Sequence, residues 1–347
     1  MTRSPERQFS RLATLALLLA FLLSHHSGRA GAAVAQTAFA RTIAELSEPG
    51  GYFDTDNLIS NERSYLTVLP DLDRAGVRGG AYLGVGPDQN FSYIAHIRPA
   101  VAFLVDIRRD NLLLHLLFKA LFAESGTRLE YLAALLGRAA PRDPGPSRTA
   151  TIGEIVAAVG HAAPLDAPGV SALRARLDVE IRRFGIPLSA EDRATIRRFH
   201  GAFIQDGLDL QFTSAGRSPQ SYYPTYRDLL LETDAEGRQR NFLASEDAYQ
   251  FVKALQARHL VIPVTGDLGG RHALAAIGRL LTARGDRVTA LYASNVEFYL
   301  SRSGMYGRFL DNLRALPRAN HAVVIRSRFG GGGSTSELQP IRDLVSR

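Results

Sequence analysis

A doubly wound α/β fold with a mostly parallel sheet is what this sequence predicts, on three observations. The first is Gly80–Asp110, GAYLGVGPDQNFSYIAHIRPAVAFLVDIRRD, which reads as strand, glycine turn, helix, strand and acid. The second is a return of the same alternation near the carboxyl end. There Leu260–Val264 runs into Thr265-Gly266-Asp267, Val288–Tyr292 into Ala293-Ser294-Asn295, and Ala322–Ile325 forms a further apolar run. The third is the character of these runs. Val101–Val105 is apolar without alternation, as a strand covered on both faces must be. Residues 150–210 between the two blocks follow helical spacing instead and read as an insertion. The predicted architecture is Rossmann-like with a helical insertion.

In chain order, Arg3, Arg7 and Arg11 precede the twelve-residue apolar run Leu12–Leu23, and Ala33-Val34-Ala35 offers a cleavage site before Gln36. A helix of that length spans about 18 Å, short of a hydrocarbon core of about 30 Å. Residues 1–35 therefore read as a Sec-type signal peptide and the protein as exported, periplasmic or secreted. A misassigned start, with a cytoplasmic protein, and an uncleaved anchor are the alternatives. Beyond residue 35 no run is long and apolar enough to span a membrane.

Residues 36–78 read as an amino-terminal cap over the carboxyl ends of the strands. Asp54, Asp56, Asn57, Asn61 and Glu62 crowd its polar stretch, but the glycine and carboxylate spacing of a calcium loop are missing, so no metal is expected. Residues 79–140 are the first half of the core. Within it Phe91–Ile97 is expected to be helical, and Asp110 is placed to cap the apolar helix Asn111–Phe122, which makes His115 a core histidine. A proline-rich linker, 141–146, opens the mainly helical insertion 141–257. There Leu173, Leu177, Ile181 and Phe184 mark one helix face, and Ser189 with Asp192 forms a capping box. The loop Gly216–Arg227 carries three tyrosines and two arginines. It is read equally as a ligand grip and as an interdomain seam. Residues 258–329 are the second half of the core, with Gly285 closing the helix over 270–284 and a further helix carrying Phe298 through Leu313. The tail 330–347, beginning GGGGSTSE, is expected to be flexible.

The 347 residues carry a formal charge of +7. Removing 1–35 takes away four arginines and Glu6, so the charge falls to +4. Lys119 and Lys253 are the two lysines, and the arginines are interspersed with acids, as in Arg174, Arg176, Asp178, Glu180, Arg182 and Arg183. That is a solvated helix face rather than a phosphate-binding stripe, and no nucleic-acid partner is expected. The absence of cysteine excludes disulfides, thiolate metal sites and cysteine nucleophiles. No Walker lysine follows a glycine loop, and neither G-x-S-x-G nor H-E-x-x-H occurs.

A glycine turn after the first strand lets backbone approach a ligand, and Asp106, twenty residues after Gly86, is placed to accept hydrogen bonds from ribose hydroxyls. The plain alternative is a structural βα turn. Taken together, the motifs resemble those of class I S-adenosylmethionine-dependent methyltransferases. Gly84-Val85-Gly86 resembles the family's first glycine loop, with Pro87-Asp88 in place of the last glycine. Asp106 falls at its ribose-binding acid, and Gly266-Asp267 resembles its acidic turn near adenine. Ser294-Asn295 is similar to its fourth motif, which faces the reacting methyl group, and Phe309–Ser327 resembles its final helix, turn and strand. The whole chain also resembles a group of bacterial proteins with such a core, from which no substrate carries over.

The resemblance implies a small-molecule ligand, S-adenosylmethionine, held by Gly84, Gly86, Asp88, Asp106, Asp267 and Ser294. It implies Asn295 and Glu297 as catalytic candidates, Glu297 being the candidate base, and Tyr52, Asp54 and Asn61 as substrate-facing residues of the cap. Glu297 also reads as a helix-start carboxylate favoured by the macrodipole. Little S-adenosylmethionine is found outside the cytoplasm, so an exported, non-catalytic small-molecule-binding or scaffold protein on the same fold is the second expectation. A nicotinamide-dependent oxidoreductase is a third. Oligomeric state is not legible.

Overall fold

The unbroken apolar runs pair into one sheet. The structure is a computed structural model and describes residues 38–55, 58–140, 148–214, 220, 222–330 and 333–346. The strands are β1 (Ala81–Gly84), β2 (Val101–Asp106), β3 (Val261–Thr265), β4 (Val288–Ser294), β5 (Arg318–Gly330) and β6 (Gly333–Pro340). They lie in the order β3-β2-β1-β4-β5-β6. All neighbours are parallel except β5 and β6, which form an antiparallel pair at the edge. The result is an open, mostly parallel α/β sheet. Strands β1 to β4 are buried along their length apart from Ser294 at the end of β4. Burial on both faces explains why their sequences show no polar alternation.

The helices are α1 (residues 38–46), α2 (Leu69–Arg74), α3 (Gln89–Ile97), α4 (Arg109–Glu124), α5 (Arg128–Leu135), α6 (Ile152–His161) and α7 (Ala167–Arg183). They continue with α8 (Ala190–Asp206), α9 (Tyr226–Leu231), α10 (Glu246–Ala257), α11 (Ala273–Arg284), α12 (Val296–Arg302), α13 (Tyr306–Ala315) and α14 (Ile341–Val345). Helix α4 is buried from Asn111 to Phe122 because α7, α8 and α10 pack on it as well as the sheet. A helix apolar all round requires such cover. Leu173, Leu177, Ile181 and Phe184 supply the buried face of α7 and its end. Ser189 and Asp192 form the expected capping box of α8, and Asp192 also takes two hydrogen bonds from Arg109, at 2.9 and 2.8 Å, tying α8 to the start of α4.

Four local expectations are corrected. Helix α4 starts at Arg109, so Asp110 lies in its first turn rather than at its cap, 3.8 Å from Arg198. The helix expected from Phe298 through Leu313 is two, α12 and α13, broken where Gly304 takes a φ of +71°. Strand β5 runs well beyond Ala322–Ile325 at both ends. The tail from Gly330 is not flexible over its described part. Residues of β6 pair with β5 from Val323–Pro340 to Gly330–Gly333, Glu337 pairs with Arg328 at 2.8 Å, and α14 buries Ile341 and Leu344. A glycine-serine composition reads as a linker when no partner strand is visible, and here the partner is the preceding strand itself.

The segment before β1 lies across the carboxyl ends of β2 and β3. Glu48 N–H donates to Thr265 O at 2.9 Å, Gly51 N–H to Ile107 O at 2.7 Å, and Thr265 N–H to Ser47 Oγ at 3.1 Å. Among the described residues no helix is long and apolar enough to cross a membrane. The signal-peptide reading of 1–35, the linker 141–146, and Asp56 and Asn57 lie outside the described residues.

Candidate functional site

Strand order creates the site. From β1 the chain moves outward through β2 to β3, then returns so that β4 lies on the other side of β1. Connections leaving β1 and β4 diverge, and a crevice opens at their carboxyl ends, the usual ligand position in open α/β sheets. A cavity of about 610 Å³ occupies this place. Gly86 follows β1, Asp106 ends β2, Asp267 follows β3, and Ser294 and Asn295 come from β4 and its exit; all five line it. Asp54 and Asn61 join them from the amino-terminal segment. Its size falls in the range of small-molecule sites.

The glycine loop is held from behind. Asn90 Nδ2 donates to the carbonyls of Val85 (2.9 Å), Gly86 (3.2 Å) and Pro87 (2.8 Å), and Tyr82 Oη donates to Asn90 Oδ1 at 2.8 Å. His115 Nε2 lies 2.9 Å from the Gly86 carbonyl. Burial pushes the His115 imidazole down to about 4, so at neutral pH the ring is uncharged and Nε2–H donates. Gly86 has a φ of +86°, which a side chain would strain, and it borders the cavity. Gly84 is different. It lies outside the cavity lining, and a β carbon there would stand 1.9 Å from Asn90 Oδ1. Its missing side chain makes room for the brace, not for a ligand. Asp88 also turns from the cavity. Its Oδ2 accepts from Tyr226 Oη at 2.8 Å, and burial raises its carboxyl to about 6.

Asp106 is buried, and its recorded contacts, the Arg108 N–H at 2.9 Å and Arg108 Nε at 3.4 Å, both fall on Oδ1. Burial raises its carboxyl and Arg108 opposes that shift. Asp267 Oδ1 accepts from Gly269 N–H at 2.8 Å, while its own N–H donates to Glu48 Oε1 at 2.9 Å. That carboxylate fixes the turn after β3 and still borders the cavity.

At the end of β4, Ser294 adopts a φ of +52°, rare for a residue with a side chain and a known form of strain at ligand sites. Its Oγ donates to Glu62 Oε1. Glu62 was not among the expected site residues. It is fully buried, and Tyr292 Oη (2.6 Å) and Ser327 Oγ also donate to its Oε2. Burial raises this carboxyl, and the three hydroxyls oppose the shift. Glu62 stands in an acid-dense stretch, but nothing in sequence links it to hydroxyls more than 200 residues away. Glu297, the candidate base, is tied elsewhere. Its Oε2 pairs with Arg326 Nε, Tyr306 Oη donates to Oε1 at 3.4 Å, and it lies outside the cavity lining. The helix-start carboxylate is the reading that matches this placement.

Tyr52 is 82% exposed and does not line the cavity, whereas its neighbour Phe53 does. The same division recurs in Tyr222-Tyr223 and Phe298-Tyr299: the second ring of each pair lines the cavity and the first is exposed. Phe53 meets Tyr299 edge-on, with ring centres 4.8 Å apart. Tyr223 thus brings the tyrosine loop to the site, while Tyr226 reaches Asp88 behind it; residues 215–219 and 221 lie outside the described set. Among the described residues, Asp54, Asp106 and Asp267 line the cavity together with one arginine, Arg302. Among the described residues no group of three or more histidine or carboxylate side chains is arranged to hold a metal ion.

Fold and site define an α/β protein with a cavity of small-molecule size at the carboxyl edge of an open sheet. The chain belongs to the family described as "Domain of unknown function (DUF7790)", whose model matches residues 57–140 and 204–339. The unmatched stretch between these blocks holds α6, α7 and all but the last residues of α8. No curated protein matches the chain.

Proposed function

We propose that the protein is a Rossmann-like, methyltransferase-like protein whose cavity binds S-adenosylmethionine. The observation that carries this reading is the convergence of Gly86, Asp106, Asp267 and Ser294-Asn295, from the ends of four successive strands, on one cavity. Asp106 would accept from the ribose hydroxyls, Asp267 would face adenine, and Ser294-Asn295 the methyl-bearing end. The bound molecule supplies an activated methyl group on a sulfonium. Among the described residues the wall carries three aspartates and one arginine, and although Arg108 engages Asp106, that set suits a cation better than a pyrophosphate. The amino terminus of α3, where a pyrophosphate would sit, already has the buried carboxylate of Asp88 at its cap position. This weighs against a nicotinamide dinucleotide.

The test is calorimetric titration of the purified protein with S-adenosylmethionine and its demethylated product, wild type against Asp106→Ala. Saturable binding lost in the variant supports the reading; no binding, or equal affinity in both, overturns it. One observation favours the second reading, a binding protein without catalysis: Glu297 is ion-paired with Arg326 instead of facing the cavity. Binding without methyl transfer to any acceptor in a broad screen would select it.

A further inference from the structure

The cavity has two unlike sides. Asp106, Asp267 and Ser294-Asn295 come from strand ends, whereas four aromatic rings, Phe53, Phe212, Tyr223 and Tyr299, come from segments outside the sheet. These rings form one band. The isolated bridge between Thr55 and Ser214 lays the amino-terminal segment against the chain that follows α8. Phe53 and Phe212 each stand two residues from that bridge, so the two-residue period of extended backbone turns them to its side, and both line the cavity with Thr55 and Ser214. Phe212 meets Tyr223 edge-on at 4.9 Å, and Phe53 meets Tyr299 at 4.8 Å. Tyr299 meets Phe298 at 5.3 Å, and the Arg302 guanidinium lies over the Phe298 ring, 5.4 Å from its centre. Phe298 is 56% exposed and Tyr299 38%, which leaves both rings surface to give a ligand. Arg302 is the charged end of the band. Among the described residues it makes no hydrogen bond or ion pair, although three aspartates line the same cavity. Those acids are engaged elsewhere, Asp106 by Arg108, Asp267 by Gly269 N–H, and Asp54 by a partner of its own. A guanidinium stays charged at any ordinary pH and presents a fork of donors with no acceptor, the polarity that a carboxylate completes. Arg302 follows Asn295 along α12 at a distance of roughly 10 Å, at about 1.5 Å per residue.

We propose that the aromatic band and Arg302 form the subsite of the methyl acceptor, and that the acceptor is a planar aromatic carboxylate. Its ring lies against Phe53, Tyr223 and Tyr299, its carboxylate pairs with Arg302, and its opposite end points to Ser294-Asn295. That this molecule is the acceptor rests on the reading above; that it is an aromatic acid does not. An uncharged ring forfeits the ion pair, and an aliphatic acid forfeits the ring contacts.

The probes are cinnamate, cinnamamide, which has the same planar frame without the charge, and nonanoate, which has the charge without the ring. Each is titrated against the purified protein by ligand-observed NMR at low ionic strength, with and without saturating S-adenosylhomocysteine. Cinnamate should bind saturably and at least about fivefold tighter than either comparison, the scale of a partly exposed charge-assisted contact. Added salt should narrow its lead over cinnamamide. Arg302→Gln should bring cinnamate to within about twofold of cinnamamide and leave cinnamamide unchanged. Phe53→Leu should weaken cinnamate and cinnamamide alike and leave nonanoate unchanged, and it keeps the test open if the first variant fails to fold. Equal affinity for cinnamate and cinnamamide, absence of binding by both, or a preference that survives Arg302→Gln overturns the subsite. Nonanoate bound as tightly as cinnamate overturns the aromatic class. Displacement of cinnamate by S-adenosylhomocysteine overturns its assignment to a second molecule. Preferential cinnamate binding by a protein that ignores S-adenosylmethionine would remove the nucleoside reading and leave the aromatic-acid site standing; the reverse removes that site alone.

Discussion

Gly84 and Asn90 occupy each other's space: a β carbon on Gly84 would lie 1.9 Å from Asn90 Oδ1. The bare α carbon is the seat of the amide that holds three consecutive loop carbonyls. Gly84→Ala should therefore destabilise the fold by about 1–3 kcal/mol or more, as overpacking does. Asn90→Ala should cost a similar amount by leaving buried carbonyls unpaired. Urea denaturation of the two single variants and the double variant is the check. The double variant should lose clearly less than the sum, because the alanine at 84 then meets no amide. Strict additivity would show that the two positions act independently.

Asp88 gives the fold a pH dependence of definite sign. Its carboxyl is raised from 3.8 to about 6 by burial. A raised carboxyl contributes stability fully below the unfolded value and loses it as pH rises through the folded one. The wild type should lose about 3 kcal/mol from this group between pH 3 and pH 7, at 1.36 kcal/mol per unit. Asp88→Asn keeps an acceptor for Tyr226 Oη and removes the titration. Its stability relative to wild type should rise across that window. Parallel stability curves for the two proteins would refute the assignment.

Asp106 and Glu297 should respond differently to loss of charge. Asp106→Asn should weaken S-adenosylmethionine binding by about tenfold or more, the scale of a charge-assisted hydrogen bond. Glu297→Gln should change it by less than about twofold, since that carboxylate faces Arg326 and Tyr306. Titration calorimetry at fixed pH separates them. A large effect of Glu297→Gln would put its side chain in the ligand path after all.

Glu62→Leu should unfold more readily than Glu62→Gln. Leucine leaves Tyr292, Ser294 and Ser327 hydroxyls without their shared acceptor, a loss of about 3 kcal/mol, while glutamine keeps one oxygen for them. Melting temperatures of both variants against wild type decide it. A leucine variant as stable as wild type would mean that the carboxylate is not what joins the cap to β4 and β5.

Sheet strands were legible because burial on both faces leaves an apolar run with sharp polar ends. Asp106, Asp267 and Ser294-Asn295 were legible for the same reason: they are the polar ends. Gly86 was legible through a turn that needs positive φ. Gly84 was misread because a glycine that admits a ligand and one that admits a neighbouring amide look alike in a sequence. Glu297 and Asp88 were misread because a carboxylate beside a motif does not reveal which way its side chain turns. Strand β6 was missed because edge strands need no apolar character when one neighbour supplies their hydrogen bonds.

By itself the sequence determined the sheet's composition, the helical stretch between its halves and the acids at strand ends, since these follow from local periodicity and burial. Only the tertiary structure decided that β4 returns beside β1, that Glu62 gathers hydroxyls from β4 and β5, and which polar groups face the cavity and which face the core. Those outcomes depend on contacts between residues far apart in the chain, and on the direction of side chains that local spacing does not set.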